Sequence, residues 1–254
     1  MPAKLYVVPA SHPCATVIAA LDRKGIAYER VDLVPAVHKA VMKAVFGTAT
    51  VPGIVLDGGR KVHGSRAILR TLEELEPQPA LFPPAGSPER KRVEEAEEWG
   101  DQVLQPLVRR VLWHALSVDR AAQLSYLDGA RLVPPTPRLA AKASGGAVAF
   151  LERRFNGVDE FTVRADLTHF DGHLGRIDRW LEQGVLNADG EPNAADLQIG
   201  SAVRLLLTLE DLRPLIDGRP AGAHARRWFP RYPGHVPHGA FAPAWLRGEP
   251  APAI

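Results

Sequence analysis

The stretch from Val51 to Leu75 constrains the fold more than any other part of the chain. Residues 54–56 are apolar and predict a short strand, and residues 57–59 supply the backbone freedom that a tight hairpin turn needs. Residues 60–63 predict the returning strand. Ser65 follows at a position typical of a helix N-cap. The apolar face of that helix consists of Ile68, Leu69, Leu72 and Leu75.

The preceding segments alternate between strand and helix patterns. Residues 4–8 predict a strand, and Pro13 suits the first turn of a helix that ends at Gly25. Residues 27–33 predict a second strand, and residues 35–46 an amphipathic helix. The predicted order is therefore βαβα followed by ββα, a small mixed sheet with helices on both faces.

This order, together with Val51-Pro52 and Gly64-Ser65, resembles the thioredoxin-like N-terminal domain of the glutathione S-transferase family over residues 3–76. The resemblance implies a cis bond before Pro52, a backbone at Val51 that pairs with the cysteinyl part of glutathione, and a serine, Ser65, that holds the γ-glutamyl carboxylate. The family places an acidic or amide residue where this chain has Gly64, so one ligand contact is absent or replaced. The alternative is a hairpin followed by an ordinary serine cap.

Ser11 and Cys14 stand at the start of the first predicted helix, where a helix N-terminus favours a thiolate. Resemblance to thioredoxin-like proteins puts Ser11 at the exposed first position of their C-x-x-C box and Cys14 at the recessed second. As in serine-type transferases, Ser11 is then the catalytic residue that hydrogen-bonds the glutathione thiolate. Alternatively, Ser11 only caps the helix, and Cys14 is a small buried residue or the reactive thiol of a redox enzyme.

Other side chains are candidates through their position. We expect His12 to be exposed and able to contact glutathione. His38, with Lys39 as the alternative, follows the second strand, where the family places a contact to the glycine carboxylate of glutathione. Trp113 and His114 are candidates for the second-substrate pocket. The alternatives are a surface histidine at position 38 and a packing role for Trp113 and His114.

Beyond a proline-rich segment the pattern is helical. Asn193 and Asp196 form a near capping box before a very apolar helix, and this box also resembles the family's helical domain. The predicted fold class is an α/β thioredoxin-like domain (βαβαββα) followed by an all-α helical domain. The predicted boundaries are 1–78 for the first domain, 79–88 for a linker, 89–218 for the helical domain and 219–254 for a Pro/Gly-rich tail. We expect this tail to pack over the helices or to form a lid over the cleft.

Composition excludes several classes of function. With 254 residues, 46% hydrophobic and 24% charged, and a net charge of +2, the chain is typical of a globular protein and gives no argument for a nucleic-acid partner. No apolar run approaches about 20 residues, so no membrane span is expected. One cysteine and the lack of a secretory signal pattern favour a reducing, cytoplasmic location. The nine histidines have no metal-ligand spacing, so no metal is expected.

These observations predict a glutathione S-transferase-like enzyme. Its cosubstrate is glutathione or a related low-molecular-weight thiol, its second substrate is a small hydrophobic electrophile, and the family implies a homodimer. Two alternatives remain open. One is a non-catalytic protein of this fold that binds ligands or a partner, and the other is a thiol redox enzyme that depends on Cys14.

Overall fold

The predicted βαβαββα order is present at the N-terminal end of the protein. The computed structural model describes residues 2–133 and 135–247, so the last part of the predicted tail, 248–254, lies outside the described residues. The strands are β1 (Ala3–Val7), β2 (Tyr28–Leu33), β3 (Gly53–Val55) and β4 (Lys61–His63). The helices between and after them are α1 (His12–Arg23), α2 (His38–Phe46) and α3 (Ser65–Leu75). The predicted thioredoxin-like arrangement is confirmed.

The sheet contains one strand that the sequence pattern did not predict. Its order is β4-β3-β1-β2-β5, where β5 (Leu132–Val133) comes from the helical part of the chain and runs parallel to β2. β1 pairs in parallel with β2 and antiparallel with β3. The Asp32 carboxylate accepts a hydrogen bond from the backbone N–H of Arg131 at 3.1 Å, which fixes the added strand at the edge. A strand of two residues is too short to give a periodic signal.

Helices make up most of the rest. They are α4 (Pro88–Trp99), α5 (Gln105–Val118), α6 (Arg138–Asn156), α7 (Glu160–Thr168), α8 (Phe170–Glu182), α9 (Ala194–Leu206), α10 (Arg213–Ile216), α11 (Pro220–Trp228) and α12 (Pro243–Leu246). A π-helical turn, Gly100–Leu104, lies between α4 and α5, just before Pro106. This fits a residue that cannot donate a helix hydrogen bond. None of the described helices is both long and apolar enough to cross a bilayer.

α9 is the buried centre of the helical part, as expected. The side-chain oxygen of Asn193 accepts hydrogen bonds from the N–H groups of Ala195 (2.9 Å) and Asp196 (3.0 Å), and the Asp196 carboxylate accepts from Asn193 N–H at 2.8 Å. The predicted capping box is therefore present. α9 also contacts α1 directly, since the hydroxyls of Thr16 and Ser201 lie 2.8 Å apart. The core of the helical part is thus continuous with the core under the sheet.

The described part of the tail packs on the helices. α11 lies against α9 and α8, and α12 lies against α7. His224 of α11 is buried, and its Nε2 lies 2.7 Å from the Asp196 carboxylate. Farther along, Tyr232 extends to the loop that precedes α1. The tail therefore contacts both the capping box of α9 and the end of the first strand.

Candidate active site

A cavity of about 160 Å³ lies between the loops that follow the strands and the helices α5 and α6. On the side of the sheet and its loops, the lining residues include Ser11, His12, His38 and Val51. α5 and α6 supply mostly apolar side chains from the other side. Four of the residues predicted for ligand binding or catalysis, separated by up to 40 positions in the sequence, thus meet around one space.

Ser11 occupies the N-cap position of α1, but its side chain does not cap the helix. Its backbone is extended (φ −71°, ψ 119°), and its hydroxyl accepts no hydrogen bond from a helix N–H. The side chain is partly exposed and lines the cavity. The preceding residue, Ala10, has a positive φ of 58°, which is uncommon for a residue other than glycine. Ser11 thus borders the cavity next to this turn without capping α1.

Cys14 lies behind Ser11 in the core, 2% exposed. Burial raises the pKa of its thiol to about 11, an effect that outweighs the hydrogen bond from the Ser11 hydroxyl. At neutral pH the thiol is therefore protonated, and Cys14 is not among the cavity-lining residues. These properties are those of a small buried side chain and not of a reactive thiolate.

The two histidines at the cavity are buried, so the expected exposure of His12 is wrong. His12 lies in the first turn of α1, and its pKa is lowered by burial and by the nearby charge of Arg109. Burial and the charge of Lys39 lower the pKa of His38 to about 4. Both rings are therefore neutral at pH 7. Among the described residues, Nε2 of His12 and Nδ1 of His38 have no hydrogen-bond partner.

The Val51–Pro52 peptide bond is cis, as expected. Val51 lines the cavity, and the carbonyl of Pro52 accepts a hydrogen bond from Gly64 N–H at 2.9 Å. Gly64 has a φ of 86°, and the position where its Cβ would stand is open. This left-handed conformation explains a glycine there, because other residues rarely adopt it. Pro52 and Gly64 are thus joined next to Val51, outside the cavity lining.

The sequence pattern predicted Ser65 as the N-cap of α3, and this prediction is wrong. The N-cap position belongs to Gly64, and Ser65 is the first helical residue. Its side chain is buried, and its hydroxyl oxygen accepts a 3.4 Å hydrogen bond from Nε2 of Gln105 on α5. The Gly64–Pro52 hydrogen bond sets the start of the helix one residue earlier than expected, and packing against α5 covers the serine.

Lys39 is engaged between α2 and α6. Its ammonium group forms an ion pair with Glu152 and lies 4.5 Å from the ring centroid of Phe155. Glu152 is itself buried and lines the cavity. The lysine therefore neutralises a carboxylate of α6 and ties α2 to the helical wall of the cavity.

Trp113 and His114 point in different directions, although both were candidates for the second-substrate pocket. Trp113 lines the cavity. His114 is buried outside that lining, stacked on the Phe241 ring with centroids 5.5 Å apart and an angle of 19° between the planes. Consecutive helical residues face about 100° apart, so only one of the pair reaches the cavity. The packing alternative is correct for His114.

Two residues at the site were not predicted. Arg109 of α5 lines the cavity one helical turn before Trp113. Its i, i+4 relation to Trp113 was a signal that could have been used. Tyr232 donates a hydrogen bond to the carbonyl of Ala10. With 222 positions between the partners, no local pattern indicates that contact. No group of three or more metal-binding side chains is found in the described ranges.

Comparison with known proteins identifies the fold. Residues 5–80 match the family described as glutathione S-transferase, N-terminal domain. Comparison with curated proteins gives no match. Among solved structures, a glutathione S-transferase from Sinorhizobium meliloti 1021 is 18% identical, with a TM-score of 0.61 over 98% of this chain and 100% of that chain.

Two further solved structures are similar. Beta-etherase LigF from Sphingobium sp. strain SYK-6 is 20% identical, with a TM-score of 0.60 over 89% of this chain and 99% of that one. A sphingomonad glutathione S-transferase complexed with glutathione is 20% identical, with a TM-score of 0.53 over 97% and 98%. At these identities the similarity establishes the fold. Residues 5–80 therefore match the N-terminal domain of the glutathione S-transferase family, and the chain has the fold of solved glutathione S-transferases.

Proposed function

We propose that this protein is a transferase that binds glutathione, or a related low-molecular-weight thiol, and activates its sulfur for attack on an electrophilic carbon. One observation carries the proposal. The hydroxyl of Ser11, at the start of α1, and the backbone of Val51, before a cis proline, border the same cavity. The glutathione complex of a similar fold supports the choice of thiol.

The proposed activation of the thiol depends on the groups that surround the sulfur of bound glutathione. The backbone of Val51 pairs with the cysteinyl part of the tripeptide and brings its sulfur to Ser11. There the serine hydroxyl donates a hydrogen bond, and the positive end of the α1 dipole favours the charged form, so the thiol pKa falls. The thiolate then forms the carbon–sulfur bond with its own electron pair, and the leaving group departs with the pair of the broken bond.

The buried thiol argues against the redox alternative. With a pKa of about 11, Cys14 holds only about one thiolate in 10⁴ molecules at pH 7. Cys14 is also only 2% exposed, so a disulfide partner cannot approach its sulfur without an opening of the core. A thiol redox reaction needs an accessible thiolate.

One observation favours the non-catalytic alternative. The hydroxyl of Ser65 is buried against Gln105, and Gly64 supplies no side chain for the γ-glutamyl group. Binding of that end would then rely on backbone N–H groups at the start of α3. A protein of this fold that binds ligands without turnover would have such a site, and measurable thiol binding without conjugation would support that second candidate.

The comparison of Ser11→Ala with Cys14→Ala tests the proposal. We expect Ser11→Ala to lower the rate of conjugation by about 10²-fold and to raise the thiol pKa of bound glutathione, since a positioned donor is lost. Cys14→Ala should change neither quantity by more than a few-fold. The thiol pKa is read from the ultraviolet absorbance of the bound thiolate. The opposite ranking of the two variants would establish the redox enzyme instead.

We also propose that the protein acts as a homodimer in a reducing, cytoplasmic compartment. Two large apolar side chains, Phe150 and Phe161, are 70% and 78% exposed, which supports an interface with a second copy of this chain. Sedimentation velocity at micromolar concentration tests the stoichiometry, and a single species of 27.6 kDa would contradict it.

A further inference from the structure

Arg109 is a cation at the wall of the cavity. It is the sole lysine or arginine among the described residues that line this space. In the described chain, no carboxylate oxygen lies within 4.0 Å of its guanidinium group, the distance that defines an ion pair. Arg110, the next residue, is held by Asp166 through two hydrogen bonds of 2.7 Å. Of these two arginines of α5, Arg110 is thus paired with a carboxylate of α7, whereas Arg109 lines the cavity.

Neighbouring charges do not neutralise Arg109. Glu152, the sole acidic residue among the described lining residues, is already paired with Lys39. Asp101, two turns earlier on the same side, accepts hydrogen bonds from Gln105 at 3.0 Å and Gln198 at 3.5 Å. It attracts Arg109 from a distance but does not bind it. Since His12 is neutral, the cavity carries an uncompensated positive charge at this point.

The surroundings of Arg109 are apolar. Leu112, Trp113 and Leu116 follow it at spacings of three, four and seven residues, which places all four side chains on one face of α5. These side chains border the same cavity as Ser11 and Val51, from the helical side. The face thus offers an apolar surface beside a guanidinium group, next to the proposed site of the thiol.

We propose that the electrophile accepted by this site is a small aromatic or similarly apolar molecule that carries a carboxylate, and that Arg109 binds this carboxylate. The inference rests on the function proposed above and names its second-substrate class. A guanidinium group matches the two oxygens of a carboxylate, and such pairs gain strength where water is partly excluded. The apolar body of the substrate lies on Leu112 and Trp113, and its reactive carbon points towards the sulfur at Ser11.

Binding of an unreactive pair of probes tests the charge preference without catalysis. We expect 4-ethylbenzoate to bind the protein at least about 10-fold more tightly than the neutral 4-ethylbenzamide, as measured by calorimetry. Arg109→Met should abolish the preference, and Arg109→Lys, which retains the charge, should keep part of it. Arg110→Met is the matched control and should leave the preference intact. Equal binding of the two probes, or no binding of either at millimolar concentration, would overturn the proposal.

Two further measurements are needed. The first decides whether Arg109 binds a carboxylate of glutathione or that of the electrophile, and the second distinguishes a failure of this proposal from a failure of the proposed transferase activity. Glutathione titrated into Arg109→Met should bind as in the wild type, whereas a loss of tripeptide affinity with unchanged benzoate binding would assign Arg109 to glutathione and overturn the proposal. In the full reaction, 4-(chloromethyl)benzoate loses chloride to the thiolate, and Arg109→Met should lower its kcat/KM about 10- to 100-fold relative to 4-(chloromethyl)benzamide. Absence of any turnover would refute the transferase, while the benzoate comparison would still decide the role of Arg109.

Discussion

The hydroxyl of Tyr232 donates a hydrogen bond to the carbonyl oxygen of Ala10, with 3.0 Å between the two oxygens. Ala10 has a positive φ of 58° and directly precedes Ser11. Burial raises the pKa of Tyr232 well above its usual value, so the phenol remains a donor at neutral and alkaline pH. A segment 222 positions away therefore holds the backbone of Ala10, which has a positive φ and directly precedes the cavity-lining Ser11.

Removal of the Tyr232 hydroxyl should change the position of Ser11 through the backbone of Ala10. We expect Tyr232→Phe to lower kcat about 3- to 10-fold and to raise the thiol pKa of bound glutathione, because one hydrogen bond worth about 1 kcal/mol no longer holds Ala10. Stopped-flow kinetics and thiolate absorbance measure the two effects. Tyr28→Phe is the control, since the Tyr28 hydroxyl donates to exposed Asp22 away from the cavity. An unchanged thiol pKa with a lowered melting temperature would show that Tyr232 has only a structural role.

A buried carboxylate joins the two parts of the protein. Both oxygens of Glu97 on α4 accept hydrogen bonds from Arg70, at 2.9 and 2.7 Å, and one also accepts from Arg66 at 3.2 Å. We expect Glu97→Gln to lower the free energy of unfolding by about 2 to 4 kcal/mol, because two arginines lose their buried partner. Urea denaturation measures the change. Glu94→Gln, which removes a partly exposed i, i+4 partner of Arg90, should cost less than about 0.5 kcal/mol, and equal effects would contradict this interpretation.

The capping box at Asn193 should contribute more to the free energy of unfolding than an exposed helix cap does. Asn193 accepts two backbone hydrogen bonds at the start of α9 and donates one to the carbonyl of Val185 at 2.9 Å. We expect Asn193→Ala to destabilise the protein by about 2 kcal/mol, because buried N–H groups lose their acceptor. Asn193→Ser keeps a capping oxygen and should recover about half of that loss. Thermal unfolding of the three proteins measures it, and identical values for Ala and Ser would exclude capping as the cause.

Stability should depend on pH through His38. Its pKa falls from the usual 6.5 to about 4 on folding, mainly because burial disfavours the charged ring. Between these values the unfolded chain binds a proton that the folded chain does not, so stability is full above pH 6.5 and is lost as the pH falls towards 4, by up to about 3 kcal/mol.

The His38→Gln variant should therefore flatten the fall in stability below pH 6.5 relative to the wild type, as urea denaturation at a series of pH values measures. His169→Gln, at an exposed position, controls for the loss of one imidazole. A His38→Gln curve parallel to that of the wild type across this window would show that His38 does not contribute to the pH dependence.

Several elements of this protein could be predicted from local chemistry. The strand–helix order and the capping box at Asn193 each depend on residues close together in the chain, through their backbone preferences and short-range hydrogen bonds. The cis bond at Pro52 was instead implied by the resemblance to a known family. The place proposed for the thiol chemistry, at the start of α1, came from the resemblance to thioredoxin-like proteins and stays a prediction.

Which side chains meet depends on the packing of segments that are far apart in the sequence. The burial of His12, the stacking of His114 on Phe241 and the contact of Ser65 with Gln105 all depend on such packing. The fifth strand and the Tyr232–Ala10 contact join segments about 100 and 222 positions apart, respectively. Contacts of this kind arise when distant apolar faces are buried together, and that burial is a property of the whole chain, which no local pattern encodes.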